Sequence, residues 1–179
     1  MKSFAFAVSF LVAAVLTTPV YGGLIGATVD IAADYPTLGT VIQDGGTHVV
    51  DGTVEWAEGS FGPNYSNTLS VQITATQIIL SFNGSTADFT GASFNGLDIH
   101  TITGLITSAA VDGSSGFDPV GITLSGADLY LNYQGVGVTA GQLSVIDYTG
   151  SVGSVPEPAS YWLMAAGLIA LAAARRRVA

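Results

Sequence analysis

The stretch Leu69-Ser70-Val71-Gln72-Ile73-Thr74-Ala75-Thr76-Gln77-Ile78-Ile79-Leu80-Ser81-Phe82 decides how this chain is read. Leu69, Val71, Ile73 and Ala75 alternate with Ser70, Gln72 and Thr74, and the apolar phase then flips to Ile78, Leu80 and Phe82. A period of two sends alternate side chains to opposite faces of a strand, and a one-residue phase flip demands a turn or bulge, here near Ala75–Gln77. The pair reads as two half-buried strands. Outward from it the pattern repeats at Ala27, Val29 and Ile31, at Ile122 and Leu124, at Leu129, Leu131 and Tyr133, and at Leu143 and Val145. Asp44-Gly45-Gly46, Asp51-Gly52, Asn83-Gly84, Asn95-Gly96 and Asp112-Gly113 supply candidate tight turns between them. Eight to ten strands are expected. The expected fold is all-β, an antiparallel β-sandwich of jelly-roll or immunoglobulin-like character, with a partly closed barrel as the alternative.

Charge divides the chain into three parts. The four basic residues, Lys2, Arg175, Arg176 and Arg177, stand at its ends, and the 132 residues from Gly23 to Ser154 contain neither Lys nor Arg. Those residues carry twelve of the thirteen acidic side chains. Nucleic acid is excluded as a partner, because phosphates are bound by clustered Lys and Arg. Cysteine is absent, which removes disulfides, thiolate metal sites and a thiol nucleophile.

Lys2 followed by the uncharged run Phe4–Leu16, a break at Thr17-Thr18-Pro19 and small residues at Gly22 and Gly23 has the order of a secretory signal. Residues 1–22 are expected to be the signal peptide, residues 23–154 the exported domain and residues 155–179 a C-terminal anchor. In the anchor Pro156, Glu157 and Pro158 precede the uncharged run Ala159–Ala174 and the arginine triplet. Sixteen residues reach about 24 Å as a helix, and Tyr161, Trp162 and snorkelling arginines extend that toward a membrane span. The arginines orient the chain with its acidic domain outside.

The run from Val155 to Arg177 resembles the PEP-CTERM protein-sorting signal: Pro156-Glu157-Pro158, a hydrophobic helix, then a basic tail of Arg175, Arg176 and Arg177. The resemblance covers only this end of the chain. It implies a Gram-negative bacterium that makes exopolysaccharide and an exosortase that recognises and processes the motif. It also implies a protein anchored transiently in the inner membrane and then placed at the cell surface or outside. The protein is then a substrate of that machinery, not an enzyme, with a structural or adhesive role in an exopolysaccharide or biofilm layer. The physical reading agrees, since two prolines hold an extended segment around one carboxylate, the form a cleavage cleft accepts.

The exported domain offers few catalytic groups. His48 and His100 invite a Ser-His-Asp arrangement, but no Gly-x-Ser-x-Gly elbow is present. Gly135-Val136-Gly137-Val138-Thr139-Ala140 has the spacing of a dinucleotide loop, yet a β-like segment follows where a helix is required. Asp112 and Asp118, with two serines between them, are the expected ligands of a weakly held Ca²⁺. No other cofactor is expected. Trp56, Tyr65, Tyr130 and Tyr133 are the aromatics for a sugar-stacking platform, with Tyr133 in phase with the core and Tyr130 facing outward. A secreted carbohydrate-binding module or glycan hydrolase on the same scaffold is the alternative to the structural or adhesive role.

Overall fold

A computed structural model of the chain describes residues 23–59, 68–84 and 86–152. The expected signal peptide, the sorting motif, the basic tail and Tyr65 lie outside the described residues. Within them every regular element is a β-strand and every pairing is antiparallel. The elements are β1 (Thr28–Asp34), β2 (Val41–Val49), β3 (Val54–Trp56), β4 (Leu69–Ile73), β5 (Gln77–Phe82), β6 (Ala87–Asp88), β7 (Gly96–Thr101), β8 (Leu105–Val111), β9 (Gly121–Ser125), β10 (Asp128–Asn132), β11 (Gly137–Val138) and β12 (Gln142–Ser151). Sheet I has the order β2-β1-β7-β10-β9, and sheet II has the order β3-β4-β5-β12-β8. The two-residue strands β6 and β11 pair with each other apart from both.

The opening stretch folds as its phase flip demands. Ile73 pairs with Ile78, and Thr74 closes the turn by accepting from the Gln77 amide at 2.9 Å through its hydroxyl. Leu69, Val71 and Ile73 on β4 and Ile78, Leu80 and Phe82 on β5 are all buried. They join Val29, Ile31, Leu97, Ile99, Leu129 and Leu131 of sheet I in one hydrophobic cluster. Each such Leu or Ile side chain contributes about 2 kcal/mol when withdrawn from water.

Two expectations about strand phase and turns are corrected. In β12 the inward residues are Ser144, Ile146 and Tyr148, while Leu143 is exposed. Val145 sits on the same outer face as Leu143 and is covered there by the segment after β8, where Asp112 and Ser115 bond to its backbone. The inward hydroxyl of Ser144 is tolerated because it bonds to the buried Tyr133 hydroxyl at 2.8 Å. Asp44-Gly45-Gly46 is not a hairpin turn but a bulge inside β2, where Gly46 opposes Ile31, Asp44 opposes Ala32 and Gly45 has no cross-strand partner. The Gly45 carbonyl accepts from the indole of the buried Trp56 at 2.9 Å, which ties β2 of sheet I to β3 of sheet II.

Asn95-Gly96 is likewise no turn. Gly96 opens β7, and a Cβ there would lie 1.8 Å from the Leu131 carbonyl oxygen, so close strand approach requires glycine. The tightest hairpin is Ser125-Gly126-Ala127-Asp128, in which Ser125 and Asp128 pair and Gly126 takes a φ of 64°.

Candidate functional site

Two features of the domain gather chemistry-bearing side chains: the outer face of sheet I and a cavity at one end of the sheets. On the outer face, antiparallel register sets Thr47, Asp30, His100, Asp128 and Ser125 in one row across five strands. The neighbouring row holds Ala32, Asp98, Tyr130 and Thr123, and the next aligns Asp34 with Gly96 and Asn132. Residues directly opposite or diagonal across a sheet lie within reach of one another. Nδ1 of His100 stands 2.5 Å from Oδ1 of Asp128, and the Tyr130 hydroxyl donates to Oδ2 of the same carboxylate at 3.1 Å.

Asp98 is the perturbed member of this face. Partial burial, reinforced by the charges of Asp128 and Asp34, pushes its carboxyl up to about 6. Its Oδ1 is buried without a hydrogen-bond partner, as is Oδ1 of the fully buried Asp34. The other oxygen of Asp34 accepts from Gly39 N at 2.6 Å, so this side chain holds the loop between β1 and β2. Among the described residues His100 bonds Asp128 and no serine joins the pair. His100 is flanked by carboxylates from β1 and β10, and His48 packs its ring against Trp56 at 4.7 Å. Among the described residues no group of three His, Cys, Asp or Glu side chains is placed to hold a metal ion.

The cavity, of about 380 Å³, opens where the ends of β1, β2 and β5 meet the small β6–β11 pair. Tyr35, Phe82 and Phe89 supply its aromatic walls, and Asp88, Thr90 and Asn95 are among its polar lining. The Phe89 ring stacks on Tyr133 at 5.1 Å, and its backbone N–H donates to Val136 O at 2.9 Å. Asn95 Nδ2 donates to Thr90 O at 3.0 Å. These contacts hold the walls of the cavity in place.

Asp112 and Asp118 fall in the segment between β8 and β9. The Asp112 carboxylate caps its own turn, accepting from the backbone and the hydroxyl of Ser114, and those bonds hold it below the usual carboxylate range. Asp118 is exposed, next to the buried Phe117. Of the aromatics named from sequence that the structure describes, Trp56 and Tyr133 are fully buried and Tyr130 is half-exposed on the outer face of sheet I, so these three form no platform. The cavity draws instead on residues spread from Tyr35 to Val138, a set that no local motif marks.

No curated protein and no solved structure matches the chain. The match that does appear is to the family model of the PEP-CTERM protein-sorting motif, over residues 154–177. It embraces Pro156, Glu157, Pro158 and the arginine triplet, one residue earlier at its start than the segment read from sequence. Such a motif means export, processing by an exosortase in association with the membrane, and then a surface destination. The chain carries a PEP-CTERM protein-sorting motif at its C-terminal end, residues 154–177.

Proposed function

We propose that this is a non-catalytic surface or matrix protein with a structural or adhesive role in the exopolysaccharide layer of a Gram-negative bacterium. Its signal peptide, residues 1–22, starts export, and the hydrophobic run Ala159–Ala174 holds the chain transiently in the inner membrane. Arg175, Arg176 and Arg177 stay on the cytoplasmic side, which leaves the acidic domain outside. The exosortase then acts at or near Pro156-Glu157-Pro158. The described domain serves as a β-sandwich of jelly-roll or immunoglobulin-like type, its two sheets sharing one core.

One observation carries this reading: a matched sorting motif follows a 132-residue stretch without a cation. Removal of the signal peptide and of the basic tail would leave a purely acidic side-chain population, which suits an extended, hydrated layer in which chains repel one another at low salt. The experiment replaces Pro156, Glu157 and Pro158 by alanines in the native host. The variant should accumulate as a larger, membrane-retained form, and unchanged size and location would refute the sorting claim. The cavity favours the binding half of a second reading, a carbohydrate-binding module or glycan hydrolase on the same scaffold.

A further inference from the structure

We infer that the cavity bounded by Tyr35, Phe82 and Phe89 is a binding site for a neutral saccharide. The inference deepens the adhesive reading and rests on it for the place where ligand is met, but the binding is a property of the domain alone.

The lining selects the ligand class. Aromatic faces take the C–H faces of a pyranose, and Tyr35 and Phe89 offer rings on different elements of the fold. Asp88 and Thr90, both exposed, bring a carboxylate and a hydroxyl to the lining, an acceptor and a donor–acceptor of the kind that ring hydroxyls require. An aliphatic occupant would desolvate those polar groups and return no hydrogen bond, which penalises it. An anionic ligand is excluded on charge. No Lys or Arg occurs between Gly23 and Ser154, and the carboxylate at the site, Asp88, is on an exposed strand. The volume of about 380 Å³ lies at the small end of ligand sites, with room for about one or two sugar rings.

The rigidity of the walls supports a formed site over a packing defect. Phe89 is clamped on both sides of its backbone, donating to Val136 O at 2.9 Å and accepting from Gly135 N at 2.6 Å. Its ring is backed by Tyr133, itself bonded to Ser144 across to sheet II. The β6–β11 pair, apart from both large sheets, sets Ala87, Asp88 and Val138 along one side of the cavity.

The test uses the full chain, purified in a detergent without a sugar headgroup. Glucose, galactose, mannose, N-acetylglucosamine and their disaccharides are titrated with saturation-transfer NMR, with glucuronate as the anionic control and Nile red as an apolar probe. At least one neutral sugar should bind, and glucuronate at least tenfold more weakly. Ala87→Trp, at an exposed lining position, should weaken the bound sugar at least tenfold by filling the mouth while circular dichroism stays unchanged. Asp88→Ala should weaken it about fivefold through a lost charged hydrogen bond. No binding by any neutral sugar overturns the inference. So does undiminished binding to Ala87→Trp, or uptake of Nile red that no sugar displaces. None of these results bears on processing at the sorting motif, whose own test is the alanine replacement.

Discussion

Glu55 and Asp34 are both buried acids, and their surroundings differ in kind. Glu55, on β3, accepts from Asp51 N at 3.3 Å and Gly52 N at 3.2 Å through Oε1, and from Ile73 N at 2.7 Å through Oε2. Three backbone donors converge on it, and both oxygens are used. Asp34, on β1, uses one oxygen on Gly39 N, while its other oxygen has no partner. It also shares the outer face of sheet I with Asp30, Asp98 and Asp128. The difference teaches that acidity in this domain has two structural meanings. A carboxylate that collects N–H donors closes a corner of the fold, whereas one with an unpartnered oxygen on a face shared with other acids holds a single loop contact and leaves half of its capacity unused.

The sharpest way to break the comparison is to truncate its satisfied member. Glu55→Ala orphans the amides of Asp51, Gly52 and Ile73 together, and a loss of about 4 kcal/mol is expected in denaturant unfolding. A loss under about 1 kcal/mol would show that water replaces the carboxylate and that the corner is not built on it. Gly96→Ala probes the outer row beside Asp34 by driving a methyl into the Leu131 carbonyl, at an expected cost of about 3 kcal/mol.

The opposite sign is expected at Asp98. Its folded-state carboxyl is raised above the unfolded value of 3.8 to about 6, so ionising it costs more in the folded protein. Its contribution to stability is therefore complete below the unfolded value and is lost as pH rises through about 4 to 6. Asp98→Asn should stabilise the protein at pH 7.5 by roughly 1 kcal/mol, after allowance for solvent screening of a group that is partly exposed. The gain should vanish at pH 4, and thermal melts at the two pH values measure it. Equal melting shifts at both would mean that the effect is not electrostatic. The smallest effect concerns calcium. We propose that Asp112 and Asp118 bind it weakly, raising the melting temperature by roughly 2 °C at millimolar Ca²⁺ and less in Asp118→Asn. A melt that ignores calcium removes the site.

Much of the fold was legible locally. The 69–82 stretch and the run Leu129, Leu131, Tyr133 bury every side chain that their alternation assigns to the core, except Ala75, which the turn takes. Leu143 and Val145 misled, because β12 carries apolar residues on both faces and an inward hydroxyl at Ser144, whose partner is Tyr133 just past the end of β10. The glycine pairs misled for a related reason. Asp-Gly and Asn-Gly report a backbone that wants freedom or closeness, and that is served as well by the β2 bulge or by the strand contact at Gly96 as by a turn. The candidate site was hardly legible at all. Tyr35, Asp88, Phe89 and Asn95 have no shared spacing, and only the convergence of several chain segments makes them neighbours.

Read alone, the sequence settled the strand periodicity, the segregation of all positive charge to the chain ends and a sorting motif running from Val155 to Arg177. These are properties of short contiguous segments: side-chain alternation, charge and the restriction of φ by proline act over a few residues. Tertiary structure alone decided which acids are satisfied and which repel, that Trp56 locks a bulge on the other sheet, and that a cavity exists. Those depend on long-range pairing, since hydrogen-bond satisfaction, desolvation and enclosed volume are set by groups far apart in the chain that packing brings together.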